Sequence, residues 1–93
     1  MTVLHKKSDG KGMFYVDYED EIAAEMVYTT TGDKMIIEHT EVDDVLRGRN
    51  IGYELVHAGV EYARHHALKV IPLCPFAKAV LDKKPEWQDV LER

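Results

Sequence analysis

A lone cysteine, a histidine in an alternating run and an arginine-glycine loop are the residues in this chain whose types and spacing could do chemistry. Cys74 stands in "KVIPLCPFAKAV", between an apolar run and a segment opened by Pro75. Proline suits the first helical position, so Cys74 falls just ahead of a helix N-terminus, where a thiol pKa drops from its usual value of about 8.5. A lone cysteine is equally a small buried apolar side chain, and both readings stay open. His39, in "MIIEHTEV", has the usable pKa of a general base, about 6.5. Its alternation with Met35 and Ile37 equally makes it a hydrogen-bonded core histidine. Glu38 and Glu41 are further candidate bases, acting through water.

"RGRNIG", residues 47–52, lies where an extended run gives way to a helical one. A helix N-terminus offers unpaired N–H groups and about half a positive charge to an anion. Small residues let the backbone approach, and arginines add charge-assisted bonds. The stretch therefore reads as a phosphate site or, as readily, as a solvated basic loop with a packing glycine. His39, His57 and Cys74 show no ligand spacing, so no metal site is expected.

The elements that must position these groups belong to a small globular chain. Its 93 residues are enough for one domain. A composition that is 45% hydrophobic and 31% charged excludes a disordered chain. The formal net charge of −5 argues against broad phosphate neutralisation, hence against nucleic acid as a partner. With only Cys74, no internal disulfide can form, and a reducing, cytoplasmic setting is expected. The opening residues lack the apolar run of a secretory signal. The most apolar stretch, residues 70–81, is broken by Pro72, Pro75 and Lys78 and is too short to span a bilayer, so no membrane partner is expected.

Alternation predicts strands over 13–18, 21–29 and 34–42, with a short edge strand over 2–6. "SDGKG", Glu19-Asp20 and Thr31-Gly32-Asp33 are the turns. Over 21–29, Ile22, Ala24, Met26 and Tyr28 share one face. From residue 50 to 66 the period becomes helical, with Ile51, Leu55, Ala58 and Tyr62 in one row and Gly52, Val56, Gly59 and Ala63 in the next. Gly52 and Gly59 cost about 1 kcal/mol each against alanine, which close approach to a sheet or a ligand would offset. A strand over 69–73, a helix over 75–84 and a last short helix over 86–91, anchored by Trp87, complete the chain. Phe76 and Trp87 read as structural residues. The fold class is α+β (mixed α/β): an antiparallel meander continued by a β-α-β crossover, a mixed sheet with helices on its faces.

Arg47-x-x-Asn50-x-Gly52 is close to the (Gln/Arg)-x-x-Gly-x-(Gly/Ala) signature of the GNAT superfamily of acyl-CoA-dependent N-acetyltransferases. With "EHTEV", "PLCPF" and "PEWQDVL", the chain over about residues 12–91 resembles the compact, single-domain GNAT-like proteins. The resemblance implies one domain over 1–93, with 1–11 as edge strand and turn. It implies transfer of an acetyl group from acetyl-CoA to an amine, either a small molecule or a protein lysine. Arg47, Gly48, Arg49, Asn50, Ile51 and Gly52 would hold the coenzyme A phosphates, mostly through main chain. Thr40, Glu41 and Val42 would pair with the pantetheine amides. Cys74 would stand near the acetyl group as covalent relay or as acid for the departing thiolate, with His39 a candidate base. Asn50 replaces the usual glycine and is the residue that best tolerates left-handed geometry in its place. The alternative is a non-catalytic coenzyme A-binding or protein-interaction module on the same fold. Monomer and homodimer are both compatible with the chain.

Overall fold

The computed structural model describes residues 2–92. It contains strands β1 (Leu4–Ser8), β2 (Lys11–Tyr18), β3 (Glu21–Thr31) and β4 (Lys34–Val42), then helix α1 (Ile51–His65), strand β5 (Lys69–Pro72) and helix α2 (Pro75–Asp82). Single turns of 3-10 helix occupy Asp44–Leu46 and, as a longer stretch, Pro85–Val90. The sheet order is β1-β2-β3-β4-β5. The first four strands are antiparallel and β5 joins β4 in parallel through α1. This is the mixed α/β meander and crossover that the periodicities predict.

Two-residue turns make the hairpins. Ser8 pairs with Lys11 across Asp9-Gly10, where Gly10 has φ 74°. Tyr18 pairs with Glu21 across Glu19-Asp20, and Thr31 with Lys34 across Gly32-Asp33. Such tight loops match strand twist through positive φ. The first turn uses only two of its five turn-forming residues, so β1 starts and ends two residues later than residues 2–6.

Alternation fails at two bulges. In β3 the register against β2 shifts past Val16, leaving Ala23 as the extra residue. Ile22 is thereby turned outward and 41% exposed, while Ala23 and Ala24 are both buried. In β4 the register against β3 passes from Val27–His39 to Tyr28–Ile37, so Glu38 is the extra residue. One inserted residue exchanges the faces of everything beyond it. Met35 and Ile37 point into the core, but past Glu38 it is Thr40, opposite buried Met26, that continues that face.

Against this face pack α1, α2 and the 3-10 stretch Pro85–Val90, closing one hydrophobic core. Leu55, Val56 and Val60 of α1 are fully buried, contributing about 1.5–3 kcal/mol each relative to exposure. Met13, Tyr15, Val27, Ile36 and Ile71 face the other way and stay partly exposed. Gly59 lets α1 settle on the sheet, since an added Cβ would lie 2.7 Å from Met26 Cε. Trp87 is buried as predicted, stacked on His57 at 5.2 Å. Arg64 of α1 ties this last stretch down through paired bonds to Asp89, 2.7 and 3.0 Å. Among the described residues no helix is long and apolar enough to cross a membrane.

Candidate functional site

The site begins where β4 and β5 part. Ile37–Pro72 is their last pair, and the N–H groups of Leu73 and Cys74 both donate to the Ile37 carbonyl, at 3.0 and 3.1 Å. Proline 72 has no N–H to carry the ladder on, and the Glu38 bulge turns β4 at the same level. From there β4 runs to Val42 bonded to β3 alone. The Asp43 N–H donates to Ala23 of β3, and backbone groups alternate sides along a strand. Thr40 and Val42 therefore turn their main-chain groups to the open side.

Cys74 lies at the head of this gap as the N-cap of α2, with extended geometry, φ −71° and ψ 123°, and is 5% exposed. Its Sγ reaches Thr40 Oγ1 at 3.6 Å. Burial pushes the thiol pKa up. The Ala77 N–H, the Thr40 hydroxyl, the Phe76 N–H and the Thr40 main chain together outweigh it and leave the pKa below the ordinary thiol value. The neutral thiol makes no capping bond; these donors favour the thiolate, which accepts hydrogen bonds far better.

His39 is not beside it. The bulge puts His39 on the opposite face, opposite Val27, with its side chain 53% exposed and Nε2 3.3 Å from Glu25. The core-histidine reading is thus corrected. The alternation with Met35 and Ile37 that suggested it is broken by Glu38. Glu41, paired with Glu25 in register, shares the His39 face.

At the other end, the loop into α1 takes two left-handed steps, Gly48 at φ 83° and Asn50 at φ 60°, ψ 27°. Asn50 keeps the geometry that a glycine would supply. Its side chain makes no cap bond, and the first backbone bond onto the helix is Glu54 N–H to Asn50. Among the described residues, the N–H groups of Ile51, Gly52 and Tyr53 have no acceptor in the protein. They open onto a cleft of about 440 Å³. Of the residues that the resemblance would place on the cosubstrate, Val42, Arg47, Gly48, Asn50, Ile51 and Gly52 line it; Thr40, Glu41 and Arg49 do not. Val42 is two residues from Thr40, about 6.6 Å along the strand, so cleft and thiol are contiguous along the free edge of β4. The Arg47 guanidinium is exposed and paired with Asp44.

Several cleft residues escape the sequence reading. Phe76, expected to be structural, is 44% exposed and covers Gly52, whose Cβ would sit 2.6 Å from its Cζ. Tyr53 and Val80 add wall, and Lys83 and Lys84 add charge. A helix running to residue 84 would place both lysines in its last turn, where cations complement the helix dipole. The helix ends at Asp82 instead. Lys84 lies over Tyr53 at 4.7 Å, and the Tyr53 hydroxyl holds its ammonium above the usual range.

Residues 13–90 match the GCN5-related N-acetyl-transferase family. A GCN5-like presumed N-acetyltransferase from Staphylococcus aureus, solved by NMR, is 37% identical and superposes with a TM-score of 0.75, over 96% of this chain and 87% of that one. The chain belongs to the GCN5-related N-acetyl-transferase family. Other family folds are more distant in sequence. The ribosomal-protein-S18-alanine N-acetyltransferase from Escherichia coli is 12% identical, with a TM-score of 0.69 over 83% of this chain and 53% of that one. A presumed streptothricin acetyltransferase from Bacillus anthracis, solved with acetyl coenzyme A, is 15% identical, with a TM-score of 0.59 over 70% of this chain and 38% of that one. The present chain spans about half or less of those two proteins. A GCN5-related acetyltransferase fold supports acetyl transfer as the general chemistry here.

Proposed function

We propose that this chain, as a single cytoplasmic domain, transfers an acetyl group from acetyl-CoA to an amine, either a small molecule or a protein lysine. The observation that carries the reading is the row of unsatisfied N–H groups at the start of α1, continuous with an unpaired strand edge that ends at Cys74. These residues fit the cosubstrate. The N–H groups of Ile51, Gly52 and Tyr53, with Gly48 and Asn50 shaping the loop, would hold a diphosphate. Thr40 and Val42 would bond the pantetheine amides as a strand neighbour does. A likeness of fold supports the choice of ligand: the Bacillus anthracis fold relative was solved with acetyl coenzyme A.

Bound there, acetyl-CoA would supply an activated acyl carbon on a thiol leaving group. Cys74 gives its proton to the departing thiolate while its Sγ takes the acetyl group. The acceptor amine then takes the acetyl group from Sγ, and the proton it sheds restores the thiol. The Phe76 and Ala77 N–H groups and the Thr40 hydroxyl stabilise the sulfur while it carries charge. His39, on the other face of the sheet, is assigned no step.

Coenzyme A should raise the melting temperature, as any ligand of the native state does, and Arg47→Glu should remove the shift. Unchanged melting at millimolar coenzyme A refutes the binding. Peptide mass spectrometry after incubation with acetyl-CoA should find acetylated Cys74. Turnover by Cys74→Ala at the native rate would show direct transfer and end the relay, leaving the binding reading intact.

A further inference from the structure

The cleft is one-sided in charge. Arg47, Lys83 and Lys84 stand in its lining and no aspartate or glutamate does, in a chain of formal net charge −5. Arg47 belongs to the loop before α1 and is paired with Asp44. The two lysines come from a separate element, the exit of α2. Lys84 is held by rings, its Nζ 4.7 Å from the Tyr53 ring centre and 5.5 Å from that of Trp87. Its nearest carboxylate, Glu86, is 3.9 Å away. An ammonium resting on ring faces keeps donors free for an anion. Lys83 is exposed and makes no ion pair among the described residues.

The N-terminus of α1 carries about half a positive charge, which with its free N–H groups answers a diphosphate. A second pair of cations beside the same first turn, through Tyr53, answers an anion beyond it. The most strongly charged group that coenzyme A offers there is its 3′-phosphate, a monoester carrying about −1.5 to −2 at neutral pH. Resting on the acetyl-CoA reading above, we propose that Lys83 and Lys84 form a subsite for this phosphate monoester. The chain thereby selects coenzyme A over its 3′-dephospho form.

Calorimetric titration of the full chain with coenzyme A and with 3′-dephospho-coenzyme A tests this. Native protein should bind coenzyme A about tenfold more tightly, the scale of a charge-assisted contact. Lys83→Gln/Lys84→Gln should bind both ligands as native protein binds the dephospho form. Lys83→Arg/Lys84→Arg should keep the preference, and Lys83→Gln alone, at an exposed position, should lose part of it with unchanged melting. Equal binding of both ligands by native protein overturns the subsite while leaving the acetyl-CoA reading in place. A double glutamine variant weakened equally for both ligands also overturns it, because the lysines would then be serving the diphosphate or the fold. Binding of neither ligand by native protein removes the acetyl-CoA reading and the subsite with it.

Discussion

Gly52 and Gly59 occupy the same helix two turns apart, and replacing each by alanine should have opposite consequences. Alanine favours a helix over glycine by about 1 kcal/mol at either position. What the new Cβ meets decides the sign. At Gly59 it lies 2.7 Å from Met26 Cε and 3.5 Å from Met35 Cε, and both methionines are fully buried beneath the helix. Overpacking of a core costs about 1–3 kcal/mol, and with two fully buried methionines to displace the middle of that range, about 2 kcal/mol, applies. The net for Gly59→Ala is a loss of about 1 kcal/mol, or about 4–8 °C in a chain of this size. At Gly52 the Cβ lies 2.6 Å from Phe76 Cζ. That ring is 44% exposed and can swing toward solvent, so most of the helical gain survives. Gly52→Ala should therefore melt at or slightly above the native temperature. Urea denaturation followed by circular dichroism gives both values, with an unchanged m-value showing that compactness is kept. A stabilised Gly59→Ala, or a Gly52→Ala that falls as far as Gly59→Ala should, would refute the packing argument.

Other consequences are open to direct measurement. Alkylation of Cys74 should follow a thiolate titration with its midpoint below the ordinary thiol value, and Thr40→Val should move the midpoint up; a native midpoint at or above that value contradicts the site. Because this acid's pKa is depressed on folding, its contribution to stability is present above the unfolded thiol pKa and lost as pH falls through the folded one. His5 has its pKa lowered by burial, then by Lys7 and His66, and its Nε2 is 2.6 Å from Tyr28 Oη. The unfolded chain then binds the extra proton, so melting should fall as pH drops below about 6.5, and His5→Gln should flatten that slope. Arg64→Ala removes the paired bonds to Asp89. Hydrogen exchange should then quicken in Pro85–Val90 while the Met26 and Met35 amides keep their protection; uniform loss would mean that the pair serves the whole fold.

Much of this architecture is legible in the residues. The bounds of β4 match the run from Lys34 to Val42 even though its alternation breaks at Glu38, and α1 follows from its helical rows, because one face is buried and period reports burial. The left-handed turn at Asn50 follows from residue type. What period cannot report is an insertion. A bulge leaves composition untouched while exchanging faces, so Ile22 and His39 read inward and stand outward, and Thr40 takes the place beside Cys74. Aromatic character made Phe76 look like core, whereas α2 ends against the start of α1 and leaves the ring on a cleft. Lys83 and Lys84 reach the cleft because the helix stops at Asp82 and its exit points at Tyr53, which no residue pattern announces.

The sheet lists its strands in the order in which they leave the ribosome. Three of its four pairings are hairpins closed by two residues, contacts of short span that form early and quickly. The parallel β4–β5 pairing spans the whole of α1, so the thiol and the loop before α1 are brought together by the pairing of longest reach along the chain. A cosubstrate gripping both would fasten that seam.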